Sequence, residues 1–116
     1  MKKNQKPRLG RVVIRTIDLN VREWFDKAAG NTYFSARIII NYGLKTERLI
    51  VLPFQYGYGS HSETVAGEDL RNRCKFWPAD KYVPLSMACR DCGIILRVNR
   101  TDGHLMRDVK AFGQED

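Results

Sequence analysis

Two neighbouring apolar segments constrain the fold more than any other feature of this sequence. The segment TYFSARIII, residues 32–40, carries large apolar side chains at alternate positions, as a strand with one buried face requires. A turn at residues 41–43 separates it from RLIVLPF, residues 48–54, which is apolar on both faces. Both segments are rich in β-branched and aromatic residues, so we predict two paired strands. Pro53 cannot donate an amide hydrogen bond, which places it at a sheet edge or at a bulge.

The chain before these strands permits two interpretations of one segment. Residues 11–17, RVVIRTI, are mostly β-branched and predict a strand. In the following DLNVREWFDKAAGNTY, Asn20 could cap a short helix with Glu23 at the capping-box position. Alternatively, REWFD and TYFSARIII form a hairpin around KAAGN, where Gly30 and Asn31 tolerate positive φ. We favour the hairpin.

Two helices and a final hairpin are predicted after the strands. Ser60 and Glu63 have the spacing of a capping box at a helix start. The inward stripe of this helix recurs every four residues and consists of Ala66, Leu70 and Cys74. A second, shorter helix begins at Pro84 and ends before Gly93. IILRVNR and HLMRDVK flank a turn at residues 101–103, which predicts a closing hairpin.

This order of elements predicts an α+β fold. A run of strands followed by helices implies a single domain with a mostly antiparallel sheet of about five or six strands, one long helix and one short helix. We assign residues 1–10 to a basic flexible tail, residues 11–113 to the domain, and residues 114–116 to a loose C-terminus. An exposed strand edge near Pro53 would allow pairing with a second copy of the chain.

The charge of the chain favours an anionic partner. Twenty lysines and arginines against thirteen aspartates and glutamates give a formal net charge of +7, which attracts nucleic acid, nucleotides or acidic protein faces. No apolar run approaches the roughly 18 residues that span a bilayer, and the basic N-terminus leads into no signal-peptide core, so we expect no membrane partner. Three cysteines, an odd number, favour reduced thiols in a cytoplasm.

The turn before the first helix is the candidate binding site. Gly57, Gly59 and Ser60 can present backbone amides to an anion at a helix N-terminus. A turn that needs positive φ, followed by an ordinary helix cap, also explains these residues, and no nucleoside-triphosphate motif is present. Basic and aromatic side chains interleave along the chain, as in surfaces where bases stack and phosphates pair with guanidinium groups. The predicted ligand-binding residues are Tyr56, Gly57, Tyr58, Gly59, Ser60, His61, Arg37 and Arg48.

The sequence offers no convincing metal or catalytic site. Cys89 and Cys92 have the spacing of half a zinc site, but a second short-spaced pair of ligands is missing. A helix end closed by Gly93 explains both cysteines without metal. His61 lies between two serines, yet adjacent residues do not make a catalytic triad, whose members converge in space. We therefore expect no metal, no cofactor and no enzymatic activity.

Several motifs resemble those of small phage-encoded proteins of unassigned function. The segments are REWFDKAAGNTYFSARI, LPFQYGYG and CRDCGIILRVNR, and the similarity spans residues 22–113. The residues that carry it are Trp24, Gly30, Asn31, Tyr33, Phe54, Tyr56, Gly57, Tyr58 and Gly59. The resemblance implies a host cytoplasm and stoichiometric binding, with roles such as host takeover or counter-defence.

Two functions follow as expectations. The first is a non-enzymatic binding protein for an anionic ligand, either nucleic acid or a nucleotide, held at the turn and the helix start. The second is a protein–protein inhibitor of a host or defence enzyme, because tyrosine, tryptophan and arginine also make good interface anchors.

Overall fold

The structure is a computed structural model that describes residues 6–78 and 83–115. Its main sheet has four strands in the order β5-β4-β3-β6: β3 (Thr16–Asp26), β4 (Asn31–Ile40), β5 (Arg48–Tyr56) and β6 (Ile95–Thr101). Two short strands, β1 (Arg8–Leu9) and β2 (Val12–Val13), pair separately. The helices are α1 (His61–Arg73), α2 (Leu85–Asp91) and α3 (Met106–Phe112). The predicted α+β single domain is confirmed at this level.

The three central strands follow the predicted hairpin arrangement. β3 and β4 pair antiparallel from Ile17–Ile40 to Asp26–Asn31, and Gly30 makes the turn with a φ of 72°. β5 pairs antiparallel with β4 at the sheet edge. Its ladder shifts register opposite residues 34–36, at the position of Pro53, so the predicted edge and bulge are both found.

One face of the sheet forms the hydrophobic core. We call it the core face; its buried residues are Ile17, Leu19, Val21, Phe34, Ala36, Ile38, Ile40, Ile50 and Leu52. Helices α1 and α2 cover it with Ala66, Leu70, Leu85 and Cys89. Because alternate residues of a strand point to opposite sides, the polar residues between them form the other face of the same strands.

Four details of the predicted fold are wrong. The main sheet has four strands and not five or six, because β1 and β2 form a separate two-stranded sheet. The sheet is mixed, because β6 pairs in parallel with β3 from Thr16–Ile95 to Arg22–Thr101. HLMRDVK is the start of a third helix, not the second strand of a hairpin: residues 106, 109 and 112 recur at helical spacing, and Val109 is buried against the sheet. The helices therefore number three in the described chain, with 13, 7 and 7 residues.

The predicted capping box at α1 is not formed. Ser60 has helical backbone angles, φ −76° and ψ 0°, and its side chain makes no capping hydrogen bond. Glu63 instead forms an ion pair with Arg100 on β6, at 3.5 Å. The inward stripe is found, with Ala66 and Leu70 buried and Cys74 packed at the edge of the core.

Part of the predicted N-terminal tail forms a strand. Arg8 and Leu9, which the sequence assigns to a flexible tail, form β1, and Arg8 exchanges two backbone hydrogen bonds with Lys75. Pro7 is buried, and its carbonyl accepts a hydrogen bond from Ile14. Residues 1–5 of the predicted tail lie outside the described range. None of the helices in residues 6–78 and 83–115 is long and apolar enough to cross a membrane.

Candidate functional site

The predicted turn forms an open pocket at one end of the sheet. Tyr56 and Tyr58 are 59% and 70% exposed, and residues 56–61 with Thr64 line a space of about 470 Å³. Gly57 has a φ of 151°, and a Cβ there would come within 2.9 Å of the Phe34 ring. This glycine is therefore required by both the backbone and the packing.

The backbone groups of Gly59 in the turn already have charged partners within the protein. The Gly59 amide donates a hydrogen bond to the Glu23 carboxylate at 3.2 Å, and the Gly59 carbonyl accepts one from Arg100 at 3.0 Å. Arg100 also pairs with Glu63. A carboxylate already holds one loop amide, so an incoming anion would meet two negative charges and one positive charge here. The exposed rings suit stacking or protein contact better than phosphate binding.

The two predicted arginines do not lie at the turn. Arg37 is in register with Val51 on β5, and Arg48 is in register with Ile40, while Tyr56 is in register with Tyr33. At about 3.3 Å per residue, these positions along β4 are about 13 and 23 Å from the Tyr33–Tyr56 pair. His61 does line the pocket, with its ring edge-on to Phe34 at 6.2 Å. The assignment of all eight residues to one ligand site stays a prediction.

The opposite side of the sheet carries a second candidate site. We call this side the open face; its residues on β3, β4 and β6 are Asp18, Asn20, Arg22, Ser35, Arg37, Ile39, Arg97, Asn99 and Thr101. Helix α3 lies across it, in contact with β3, β4 and β5. The Ser35 hydroxyl donates a 2.5 Å hydrogen bond to the Val109 carbonyl, which fixes the helix to the middle of the sheet.

An aromatic cluster lies near the turn end of the open face. Tyr33 and Phe54 stack with ring centroids 5.2 Å apart, and Trp24 lies 5.7 Å from Tyr33. Tyr56 meets Tyr33 edge-on at 5.7 Å. The Lys110 ammonium of α3 lies 5.4 Å from the centre of the Phe54 ring. Aromatic packing of this kind fixes the hairpin ends and leaves Tyr56 partly exposed.

A groove runs along the open face beside the end of α3. It has a volume of about 480 Å³, and its lining includes Asn20, Arg22, Arg37, Ile39, Asn99, Thr101, His104 and Phe112. The guanidinium carbons of Arg22 and Arg37 lie over the Phe112 ring, 4.1 and 4.8 Å from its centre. Arg37 also donates to the carbonyls of Phe112 and Gln114. The ring thus holds two positive charges side by side at the groove.

The charge of the groove is positive. Among residues 6–78 and 83–115, no carboxylate lies within 4.0 Å of the Arg22 guanidinium. Farther along the face, Asp18 accepts two hydrogen bonds from Arg97, at 2.6 and 2.9 Å, and this contact raises the pKa of Arg97. The charge of Arg97 is thus balanced by Asp18, whereas Arg22 and Arg37 leave about two positive charges at the groove.

Burial keeps the thiols of Cys74 and Cys89 protonated over a wide pH range. Burial raises the pKa of the Cys89 thiol to about 12 and that of Cys74 to about 11. A thiol that stays protonated is a poor nucleophile and a poor metal ligand. The residues that the structure describes contain no cluster of three or more histidine, cysteine or acidic side chains able to hold a metal ion.

Comparisons of the chain with protein-family models, with curated proteins and with solved structures find no match. The candidate sites therefore stand on their own geometry. Sequence reasoning missed the groove, although a signal for it exists: in IDLNVR, polar Asp18, Asn20 and Arg22 alternate with the apolar residues of the core face. That alternation predicts a sheet with one polar face once the segment is taken as a strand.

Proposed function

We propose that this chain is a non-enzymatic binding protein for single-stranded nucleic acid, which lies along the groove of the open face. The observation that carries the proposal is the pair of guanidinium groups over Phe112, neither of which has a carboxylate partner within residues 6–78 and 83–115. Phosphate groups bind such guanidinium groups through short, charge-assisted hydrogen bonds. The formal net charge of +7 adds long-range attraction for a polyanion.

The shape of the groove supports a strand over a free nucleotide. The groove is open to solvent, and Arg22 and Asn99 in its lining are exposed. A site that sequesters one small nucleotide buries most of that ligand's surface. A strand, in contrast, needs a surface that admits the chain at both ends and contacts several phosphates.

Salt dependence of binding tests the proposal. A labelled strand of about twelve nucleotides, as DNA and as RNA, is titrated with the protein at several salt concentrations. The affinity should fall steeply with salt, and Arg22→Ala should weaken binding and reduce the slope of log K against log salt by about one unit. Arg90→Ala is the matched control, because Arg90 is exposed on α2, which covers the opposite face of the sheet. No binding, or equal losses in both variants, would contradict the proposal. Displacement of the strand by equimolar mononucleotide would favour nucleotide sequestration.

A protein partner is the second candidate function, and a separate observation favours it. Phe25 and Tyr58 are 53% and 70% exposed at the same end of the sheet as Tyr56. Thr32 places Phe25 beside the turn, because Thr32 is in register with Phe25 and its carbonyl accepts a hydrogen bond from the Gly57 amide. Exposed aromatic groups of this type anchor protein interfaces. An inhibitor of a host enzyme would use this end of the molecule.

Substitution of the tyrosines tests the second candidate. Tyr56→Ala with Tyr58→Ala should abolish capture of a protein partner from nuclease-treated host lysate, with little change in the thermal midpoint, because both rings are exposed. Retention of the same partner by the double variant would exclude this end as the interface. If nuclease treatment removes the captured protein, nucleic acid bridges the two proteins, and the result supports nucleic-acid binding instead.

A further inference from the structure

Two asparagines lie side by side on the floor of the groove. Asn20 on β3 and Asn99 on β6 are direct partners in the parallel ladder, and both line the groove. Neighbouring strands are about 4.8 Å apart, so the two side chains leave the sheet as close neighbours. In the hydrogen bonds among residues 6–78 and 83–115, neither carboxamide has a partner.

A carboxamide has the chemistry to bind a nucleobase edge. Its carbonyl accepts one hydrogen bond and its NH₂ group donates, and bases present a donor beside an acceptor on their edges. Asparagine has low strand propensity, so neither the half-buried Asn20 nor the exposed Asn99 strengthens its strand. Two asparagines in register are therefore better explained by a hydrogen-bonding ligand than by the fold.

The surroundings place phosphate and base contacts within one groove. Arg22 follows Asn20 by two residues on the same face of β3, so a strand whose phosphate binds Arg22 brings its base towards the two carboxamides. Thr101 and His104 line the groove next to Asn99, joined by a 2.7 Å hydrogen bond. The bases of a duplex use their Watson–Crick edges for pairing, whereas an unpaired base can be splayed out and can offer that edge to the floor of the sheet.

We infer that Asn20 and Asn99 read the edge of an unpaired nucleobase, so that the groove recognises single strands by their bases as well as by their phosphates. This inference rests on the proposed function and adds the determinant of specificity. The arginines then set affinity and salt dependence, and the asparagines set the preference for a base.

The test compares two ligands that differ only in their bases. One is a mixed-sequence strand of about twelve nucleotides, and the other is an abasic strand with the same number of phosphates. The native protein should bind the base-bearing strand about tenfold more tightly, which corresponds to about 1.4 kcal/mol. The double variant Asn20→Ala with Asn99→Ala should bind both strands with similar affinity and keep the native salt slope. Arg22→Ala should weaken both strands equally.

Controls separate this inference from the proposed function. Asn72→Ala changes an exposed asparagine on α1 and should keep the native preference. Asn99→Ala alone, at an exposed position, should reduce the preference even where the double variant folds poorly. Equal affinity of the native protein for both strands, or an unchanged preference in the folded asparagine variants, would overturn the inference and leave the proposed function standing. No binding of either strand would overturn both.

Discussion

The two faces of the same four-stranded sheet differ in how much of them the helices cover. On the core face, every residue of β4 from Phe34 to Ile40 that points inward is fully buried beneath α1 and α2. On the open face, α3 covers the middle of the sheet and leaves the groove beside Phe112. The comparison separates two roles: the core face stabilises the fold, and the open face keeps polar groups available for a ligand. Substitutions on the two faces should therefore change different measurements.

The largest expected effect is on the core face. Phe34→Ala removes a ring with no exposed surface and should lower the free energy of unfolding by about 3–5 kcal/mol, because the lost burial adds to the cost of the cavity. Leu49→Ala is the matched control. Leu49 lies on the open face of β5, in register with Ile39, and is 50% exposed, so its loss should lower the free energy of unfolding by less than about 1 kcal/mol. Urea unfolding measures both. If the two variants lose similar unfolding free energy, the core face does not stabilise the fold more than the open face does.

An intermediate effect is expected where α3 is attached. Arg37→Ala removes its contact with the Phe112 ring and two hydrogen bonds, to the Phe112 carbonyl at the end of α3 and to the Gln114 carbonyl just beyond it, and should lower the free energy of unfolding by about 1–2 kcal/mol. Arg22→Ala keeps those hydrogen bonds and loses only its contact with Phe112, at a cost of about 0.5 kcal/mol. Urea unfolding with amide exchange at Val109 checks the pair. Equal destabilisation by both variants would mean that Arg22 is also structural.

Near neutral pH the smallest effect is that of the thiols beneath the core face, whose pH dependence appears only in alkaline solution. The pKa of Cys89 is raised by burial and by its neighbour Cys92, and that of Cys74 is raised by burial and by Asp69. The unfolded chain releases both protons from about pH 8.5, while the folded chain keeps them. Stability contributed by the thiols is thus present below this pH and is lost as pH rises towards 11 and 12.

Urea unfolding between pH 8 and pH 11 measures this loss. Cys74→Ala removes one of the two groups, so its free energy of unfolding should fall less steeply with pH than that of the native protein. Comparison with the variant removes the contribution of tyrosines and lysines, which titrate in the same range. Identical slopes would show that the Cys74 thiol ionises as freely in the folded chain as in the unfolded one.

Sequence reasoning succeeded where local pattern determines structure. The hairpin of β3 and β4, the bulge at Pro53 and the helix from His61 follow from alternation, turn residues and helical spacing within short segments. It failed where the structure depends on contacts between residues far apart in the sequence. The parallel pairing of β6 joins residues 79 positions apart, as Thr16 and Ile95 are, and no local pattern specifies it.

The candidate site shows the same division. Exposure of Tyr56 and Tyr58 follows from a glycine-rich turn, which the sequence displays. The groove needs side chains from β3, β4, β6 and α3, and its arginines converge on Phe112 only after α3 has folded across the sheet. A prediction that treated HLMRDVK as a strand could not place that ring beside Arg22.

The most direct test of ligand binding at the groove determines which face of the sheet the nucleic-acid strand contacts. An NMR titration of the isotope-labelled protein with an unlabelled single strand reports on every amide, including the side-chain amides of Asn20 and Asn99. The account predicts that these signals and the backbone signals of β6 and Phe112 shift together at stoichiometric ratio, while those of Leu70 and Ala88 beneath the core face stay unchanged. Shifts confined to residues 56–61 at the turn, with the groove signals unmoved, would contradict it.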